Sequence, residues 1–254
     1  MPFVAVASHR IEYERIEIAG AVRPTLVFLH EGLGSVAMWR DFPDRVAHAT
    51  NCSAVVYSRH GYGHSDPLTE SRTPRYMHDE ALVVLPELLD RLAIDRPILV
   101  GHSDGGSIAL IHAGAGIRPV TAVVTLAAHV LVEDISVASI AAAKTAYATT
   151  DLRARLARYH ADVDSAFLGW NRIWLAREFR DWNIEEYLPR IACPVLAIQG
   201  EDDEYGTMEQ MHRIGARVRD VELLALQDCR HSPHKDQPQA AIEAITRFVD
   251  RVTP

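Results

Sequence analysis

A serine stands near the middle of this chain with glycine two positions before and two after it: Gly101-His102-Ser103-Asp104-Gly105, with Gly106 behind. The apolar run Ile98-Leu99-Val100 leads in, and Ser107-Ile108-Ala109-Leu110-Ile111-His112-Ala113 follows with a helical composition. A serine on a sharp strand-to-helix turn pushes its hydroxyl out at the carboxyl edge of a sheet. The crowded backbone of that turn tolerates only small residues at the two flanking positions. The helix start contributes free N–H groups and a positive dipole end, both favourable to an oxyanion. Small residues at this spacing also occur in glycine-rich turns without chemistry; the strand before and the helix after favour a nucleophile.

Serine at neutral pH needs a base, and the base needs an acid to orient it. Downstream, Pro194-Val195-Leu196-Ala197-Ile198-Gln199-Gly200 reads as a buried strand that empties into Glu201-Asp202-Asp203-Glu204. A last strand, Val221-Glu222-Leu223-Leu224-Ala225-Leu226, leads toward Cys229-Arg230-His231-Ser232-Pro233-His234. Nucleophile, acid and base candidates thus all lie just past a strand, at the edge where open α/β sheets place their sites. His231 and His234 also fit ordinary loop histidines or an H-x-x-H metal pair. No third ligand stands at useful spacing, so no metal is expected.

With this order of serine, acid and histidine the chain resembles the α/β-hydrolase family over nearly its whole length. The resemblance implies a doubly wound, mostly parallel eight-stranded sheet with a helical cap insertion, and a Ser-His-Asp triad. Ser103 matches the nucleophile. The family's acid stands three residues after the glycine closing its strand, which points to Asp203, with Asp202 and Glu201 as close rivals. The base matches His231, with His234 as competitor and Arg230 where the family has glycine. The oxyanion hole takes the N–H of Asp104 and, from the loop His30-Glu31-Gly32-Leu33-Gly34-Ser35, that of Gly32. This loop is similar to the family's His-Gly-Gly-x-Gly, with Glu31 replacing the first glycine. A carboxylate there opposes the developing charge unless it turns away to an arginine or to backbone donors. The other readings of Glu31 are a polar substrate contact or a tuned acid.

The elements that must position these residues alternate regularly. Residues 3–8 and 11–18 read as an antiparallel opening ribbon, 25–29 as the first parallel strand, 36–48 as a helix and 53–58 as a strand. The loop Arg59-His60-Gly61-Tyr62-Gly63-His64-Ser65-Asp66 is similar to the family's glycine-rich turn. Residues 75–93 carry helical spacing with Pro86 as an expected kink. Strands at 97–102 and 120–128 flank the nucleophile helix. Parallel strands alternating with helices make a doubly wound sheet covered on both faces.

The alternation breaks over residues 133–190, too long a stretch for an ordinary connection. In the family an insertion at this place forms a helical cap, which divides the chain into a core (1–132 and 191–254) and a cap (133–190). Trp170, Trp174 and Trp182 fall within it. Packing of the cap onto the core is their ordinary role, and Trp170 and Trp174 equally suit the pocket wall. His129, where the sixth strand meets the cap, reads as a substrate contact or as a hydrogen-bonded core histidine. The candidate substrate-binding residues are Glu31, Leu33, His102, His129, Trp170 and Trp174. Glu31, Arg59, His60 and His129 are expected to make a polar entrance.

A chain of 254 residues suits one α/β domain with a large core. Its net charge of -8 and its lack of any Lys/Arg-rich run make nucleic acid and anionic membranes poor partners. Cys52, Cys193 and Cys229, an odd set in apolar surroundings, fit reduced thiols of a cytoplasmic protein. The first residues lack the charged region and apolar length of a signal peptide. No run of about twenty apolar residues is present to span a membrane. The expectation is a monomer or homodimer that transfers the acyl group of a small ester to water and needs no cofactor. Lactonase, enol-lactonase, thioesterase and C–C hydrolase activities share the same machinery, and a non-catalytic ligand-binding protein shares the same scaffold. Serine at the nucleophile position argues against the dehalogenase and epoxide-hydrolase branches, which use aspartate there.

Overall fold

The computed structural model describes residues 2–253. Its strands are β1 Phe3–Val6, β2 His9–Ile16, β3 Leu26–Leu29, β4 Ala54–Tyr57, β5 Ile98–His102, β6 Ala122–Leu126, β7 Val195–Gly200 and β8 Val221–Leu226. They form one eight-stranded sheet in the order β1-β2-β4-β3-β5-β6-β7-β8. The β1–β2 and β2–β4 pairings are antiparallel and every other pairing is parallel. β3 to β7 are buried at every position, as their runs of Val, Leu, Ile and Ala require of strands covered on both faces. Successive side chains alternate faces, so Val27, Leu29 and Leu99 enter one core while Leu26, Phe28 and Val100 enter the other.

The helices are α1 Phe42–Thr50, α2 Tyr76–Asp79, α3 Leu85–Arg91, α4 Asp104–Ala115, α5 Asp134–Thr149, α6 Leu152–Leu156, α7 Val163–Leu175, α8 Glu209–Arg217, α9 Pro233–Asp236 and α10 Pro238–Val252. Two depart from the expectation. The helix expected over 36–48 is a 3-10 turn, Val36–Trp39, followed by α1, because Arg40 between them takes a φ of 54°, which no right-handed helix passes through. The segment expected to kink at Pro86 instead relaxes before it. A π turn, Glu80–Val84, joins α2 to α3, and the Leu85 N–H donates to the Glu80 carbonyl. Pro86 then falls in the first turn of α3, and the Ala81 carbonyl five residues before it pairs with His112 Nδ1 at 2.7 Å instead.

Residues 133–190, inserted between β6 and β7, hold α5, α6, α7 and two 3-10 turns. Cys52, Cys193 and Cys229 are free. No helix among the described residues is long and apolar enough to cross a membrane.

Candidate active site

β5 passes into α4 at Ser103, whose backbone sits at φ 52°, ψ -118°. A non-glycine residue held there costs about 1–3 kcal/mol, a cost the surrounding packing must enforce. The flanking glycines show how it does so. A Cβ on Gly101 would lie 2.3 Å from the Gly105 carbonyl oxygen, and a Cβ on Gly105 would lie 2.0 Å from the Leu29 carbonyl oxygen. Each contact is with backbone that cannot step aside. The turn therefore closes only with glycine at both places. Ser103 N–H donates to the Leu126 carbonyl at 2.9 Å, which pins the serine to the end of β6.

The loop after β8 brings His231 to this serine, with Nε2 3.0 Å from Ser103 Oγ. Its Nδ1 lies 2.8 Å and 3.0 Å from the two oxygens of Asp203, beyond β7. Of the three rival carboxylates only Asp203 makes this contact; Glu201 and Asp202 are exposed. Asp203 also accepts from the N–H groups of Tyr205 and Gly206 at 2.8 Å and 3.2 Å. Burial by itself would raise its pKa, but His231 and the Tyr205 N–H outweigh that and hold it below the usual carboxylate value. His234 turns elsewhere: its ring packs 4.9 Å from Trp39 and 5.6 Å from Phe42. Among the described residues no group of three or more His, Cys, Asp or Glu is gathered to hold a metal ion.

Gly32 and Asp104 line the same cavity as Ser103, one from the loop after β3 and the other at the first turn of α4. A Cβ on Gly32 would sit 2.2 Å from Trp170 Nε1, so glycine is what allows α7 to close over this loop. Glu31 does not pair with an arginine. Its carboxylate lies 3.7 Å from Lys235 Nζ and 3.4 Å from His102 Nδ1. Burial would raise its pKa, yet Lys235 and His102 pull it well below the ordinary value, so the group is ionised and already paired.

The cavity over Ser103 measures about 120 Å³. Glu31, Leu33, His102, His129, Trp170 and Trp174 all stand in its wall. Tyr205 and Ile140 join them, two residues the sequence did not single out; Tyr205 lies two positions past the acid, the one local signal for it. Trp182 lies outside the wall and stacks on Phe179 with ring centroids 5.4 Å apart. The expected polar entrance is corrected at two residues. Arg59 is 1% exposed and lies beneath the loop after β3, drawn in by the His30 and Glu31 carbonyl groups there. His60 stacks on His9 at 3.7 Å with its Nε2 3.0 Å from the Pro67 carbonyl, in a separate groove.

An eight-stranded, mostly parallel sheet carrying a strained serine past β5, an aspartate past β7 and a histidine past β8 defines an α/β hydrolase. Residues 26–245 match the Alpha/beta hydrolase family, and the chain belongs to it. The fold is also similar to the enol-lactonase from Burkholderia xenovorans LB400, with a TM-score of 0.78 at 20% identity over 98% of this chain and 100% of that one. A structure reported with carboxylesterases of Nitrososphaera gargenis is similar at TM-score 0.79 and 20% identity, over 99% and 98% of the two chains. Proline iminopeptidase of Lactobacillus helveticus is 30% identical over 113 residues, 44% of this chain. That match spans only 36% of the length of these curated relatives.

Proposed function

We propose that this protein is a serine hydrolase that cleaves a small acyl ester through an acyl-enzyme. The observation that carries the reading is the continuous hydrogen-bonded line Ser103 Oγ–His231–Asp203 opening into a small cavity. His231 takes the Ser103 proton as the hydroxyl oxygen attacks the carbonyl carbon. Asp203 holds the imidazole in the tautomer with its proton on Nδ1 and stabilises the imidazolium that forms. The N–H groups of Asp104 and Gly32 receive the oxyanion. His231 returns the proton to the leaving alkoxide, and the ester oxygen departs as an alcohol. Water then attacks the acyl-enzyme with His231 again as base, releasing the acid and restoring Ser103. Residues 133–190 act as a cap, with Ile140, Trp170 and Trp174 closing the acyl pocket. The partner is a small molecule.

Lactones are cyclic esters and follow the same steps, in keeping with a fold shared with an enol-lactonase. An aminopeptidase must hold a free α-ammonium, commonly with a carboxylate. The two carboxylates lining this cavity are both occupied, Glu31 by Lys235 and Asp104 by the Tyr76 hydroxyl at 2.7 Å. That favours ester over peptide substrates. The test is a panel of p-nitrophenyl esters, lactones, acyl-thioesters and aminoacyl-p-nitroanilides, with Ser103→Ala beside the wild type. Ester turnover should fall by about three or more orders of magnitude in the variant while its circular dichroism is unchanged. Full activity in Ser103→Ala, or turnover confined to the anilides, would sink the reading.

A further inference from the structure

The peptide group between Glu31 and Gly32 is held from behind. Its N–H is the oxyanion donor of the proposed mechanism, and its carbonyl oxygen accepts three hydrogen bonds, one from the Gly34 N–H at 3.1 Å within the loop and two from side chains behind it. Arg59 Nη2 donates to it at 2.8 Å, and His30 Nδ1 meets it at 2.6 Å. The tautomer of His30 follows from its other nitrogen. Nε2 accepts from the Arg59 backbone N–H at 3.0 Å, so the ring proton sits on Nδ1 and is donated to the Glu31 carbonyl. Burial, reinforced by Arg59, keeps the His30 pKa well below the ordinary value, so this neutral form holds.

We propose that Arg59 and His30 are positioning residues that aim and polarise the Gly32 N–H toward the oxyanion. The carbonyl and N–H of one amide are a single conjugated unit. Drawing electron density onto the oxygen makes the N–H a stronger donor, and hydrogen bonds in such a chain reinforce one another in a low-dielectric interior. His30 and Arg59 are 0% and 1% exposed, so solvent does not screen the effect. The same Arg59 nitrogen lies 3.7 Å from Asp104 Oδ2, on the residue that supplies the second donor. One guanidinium thus ties both arms of the oxyanion hole together.

Fold stability is only part of the reason for this arginine. Its Nε and Nη1 are buried without hydrogen-bond partners among the described residues, although its charge lies over the Tyr62 ring at 4.9 Å. Its charge balances the buried Asp104 carboxylate, yet two of its three nitrogens gain nothing in exchange for their desolvation. Arg59 does not line the cavity, so its influence passes through the peptide it holds.

This inference rests on the assignment of Gly32 and Asp104 as oxyanion donors, and the experiment separates the two. A carbonyl-13C-labelled trifluoromethyl ketone adds Ser103 Oγ to its carbonyl, and NMR reads the pKa of the hemiketal hydroxyl. In the wild type that pKa should fall well below its value for a free hemiketal. Arg59→Gln should raise it. It should also lower kcat per titrated active site on p-nitrophenyl acetate by ~10–100-fold, less than the ~10²–10³ of losing a donor outright, with KM within about threefold. Arg59→Lys, which keeps a cation but only one point of contact, should fall between. A purely structural role would lower the melting temperature and the active-site titre while leaving the hemiketal pKa and kcat per site at wild-type values, and that result overturns the proposal. A wild-type hemiketal pKa that is not lowered overturns the donor assignment and this inference together. If neither variant folds, through-hydrogen-bond 15N–13C couplings from Arg59 Nη2 and His30 Nδ1 to the Glu31 carbonyl carbon of the wild type read the two side-chain bonds apart from that of the Gly34 N–H: their presence supports the clamp, and their absence overturns it.

Discussion

Lys235 Nζ lies 3.7 Å from the Glu31 carboxylate, so a charge pair joins the segment that carries the base to the loop that carries Gly32. The residue that departs most from the family's glycine-rich loop is therefore answered by a cation just after the histidine. Both side chains keep some solvent contact, at 33% and 15% exposure, which places the pair between surface and interior.

Lys235→Met should cost about 1 kcal/mol at pH 7, the upper end of what exposed pairs contribute. Glu31 has a folded pKa held well below its unfolded value. Its contribution is therefore present above the unfolded pKa of about 4.3 and is lost as pH falls through the lower folded value. Urea denaturation of wild type and variant should show a stability gap at pH 7 that closes in acid. A gap that stays constant with pH would show that packing, not charge, is what Lys235 supplies. Glu31→Gly should leave turnover within about tenfold, roughly 1.4 kcal/mol, because the paired carboxylate no longer opposes the oxyanion. A hundredfold loss would mean that Glu31 binds or activates substrate.

Asp203→Asn should lower kcat by about 10⁴, the effect of the equivalent change in a serine-protease triad, because asparagine presents the wrong partner to Nδ1. Asp202→Asn should change it less than about threefold, since Asp202 is exposed and its own N–H is spent on the Cys229 carbonyl. Comparable losses in both variants would place the orienting role elsewhere in the acidic turn.

His129 links stability to pH. Burial, with His231 nearby, pushes its pKa down to about 4. The unfolded histidine titrates near 6.5, so between these values the unfolded chain binds more protons than the folded one. Its stabilisation is present above about pH 6.5 and is lost as pH falls toward 4, worth about 3 kcal/mol at most. His129→Gln should flatten the decline of unfolding free energy across that window. Parallel curves for wild type and variant would assign the acid sensitivity to other buried histidines.

Substrate length follows from the cavity. At about 120 Å³ it lies below the ~300–1,000 Å³ of typical small-molecule sites. Acetyl and butyryl p-nitrophenyl esters should react faster than the dodecanoyl ester, which must displace packed aromatic rings. Trp170→Ala removes the ring that lies against Gly32 and should move the optimum toward longer chains. A wild-type preference for long acyl chains, or an optimum unmoved by Trp170→Ala, would contradict a pocket bounded by α7.

Much of this fold is legible locally. The strand, glycine-serine-glycine turn and helix around Ser103 are contiguous, and their apolar runs and small residues carry the geometry without reference to distant chain. The same holds for β3 to β7, whose uninterrupted burial is written in successive residues. Local signals misled where a single backbone angle intervened, as at Arg40, or where an irregular turn absorbed a proline, as at Pro86.

The sequence by itself determined the class of sheet, the serine turn and the order in which acid and base follow it, because hydrophobic period and backbone sterics act over a few neighbouring residues. The family spacing pointed to Asp203, but tertiary structure separated it from Glu201 and Asp202, since adjacent residues in a turn point in different directions and packing selects the one that meets His231. It also decided that Lys235 answers Glu31, that Arg59 lies under the loop after β3 and not at an entrance, and that Tyr205 and Ile140 complete the cavity wall. Each of these is a contact between segments far apart in the chain, made where strand ends converge, and spacing along the sequence holds no measure of that distance.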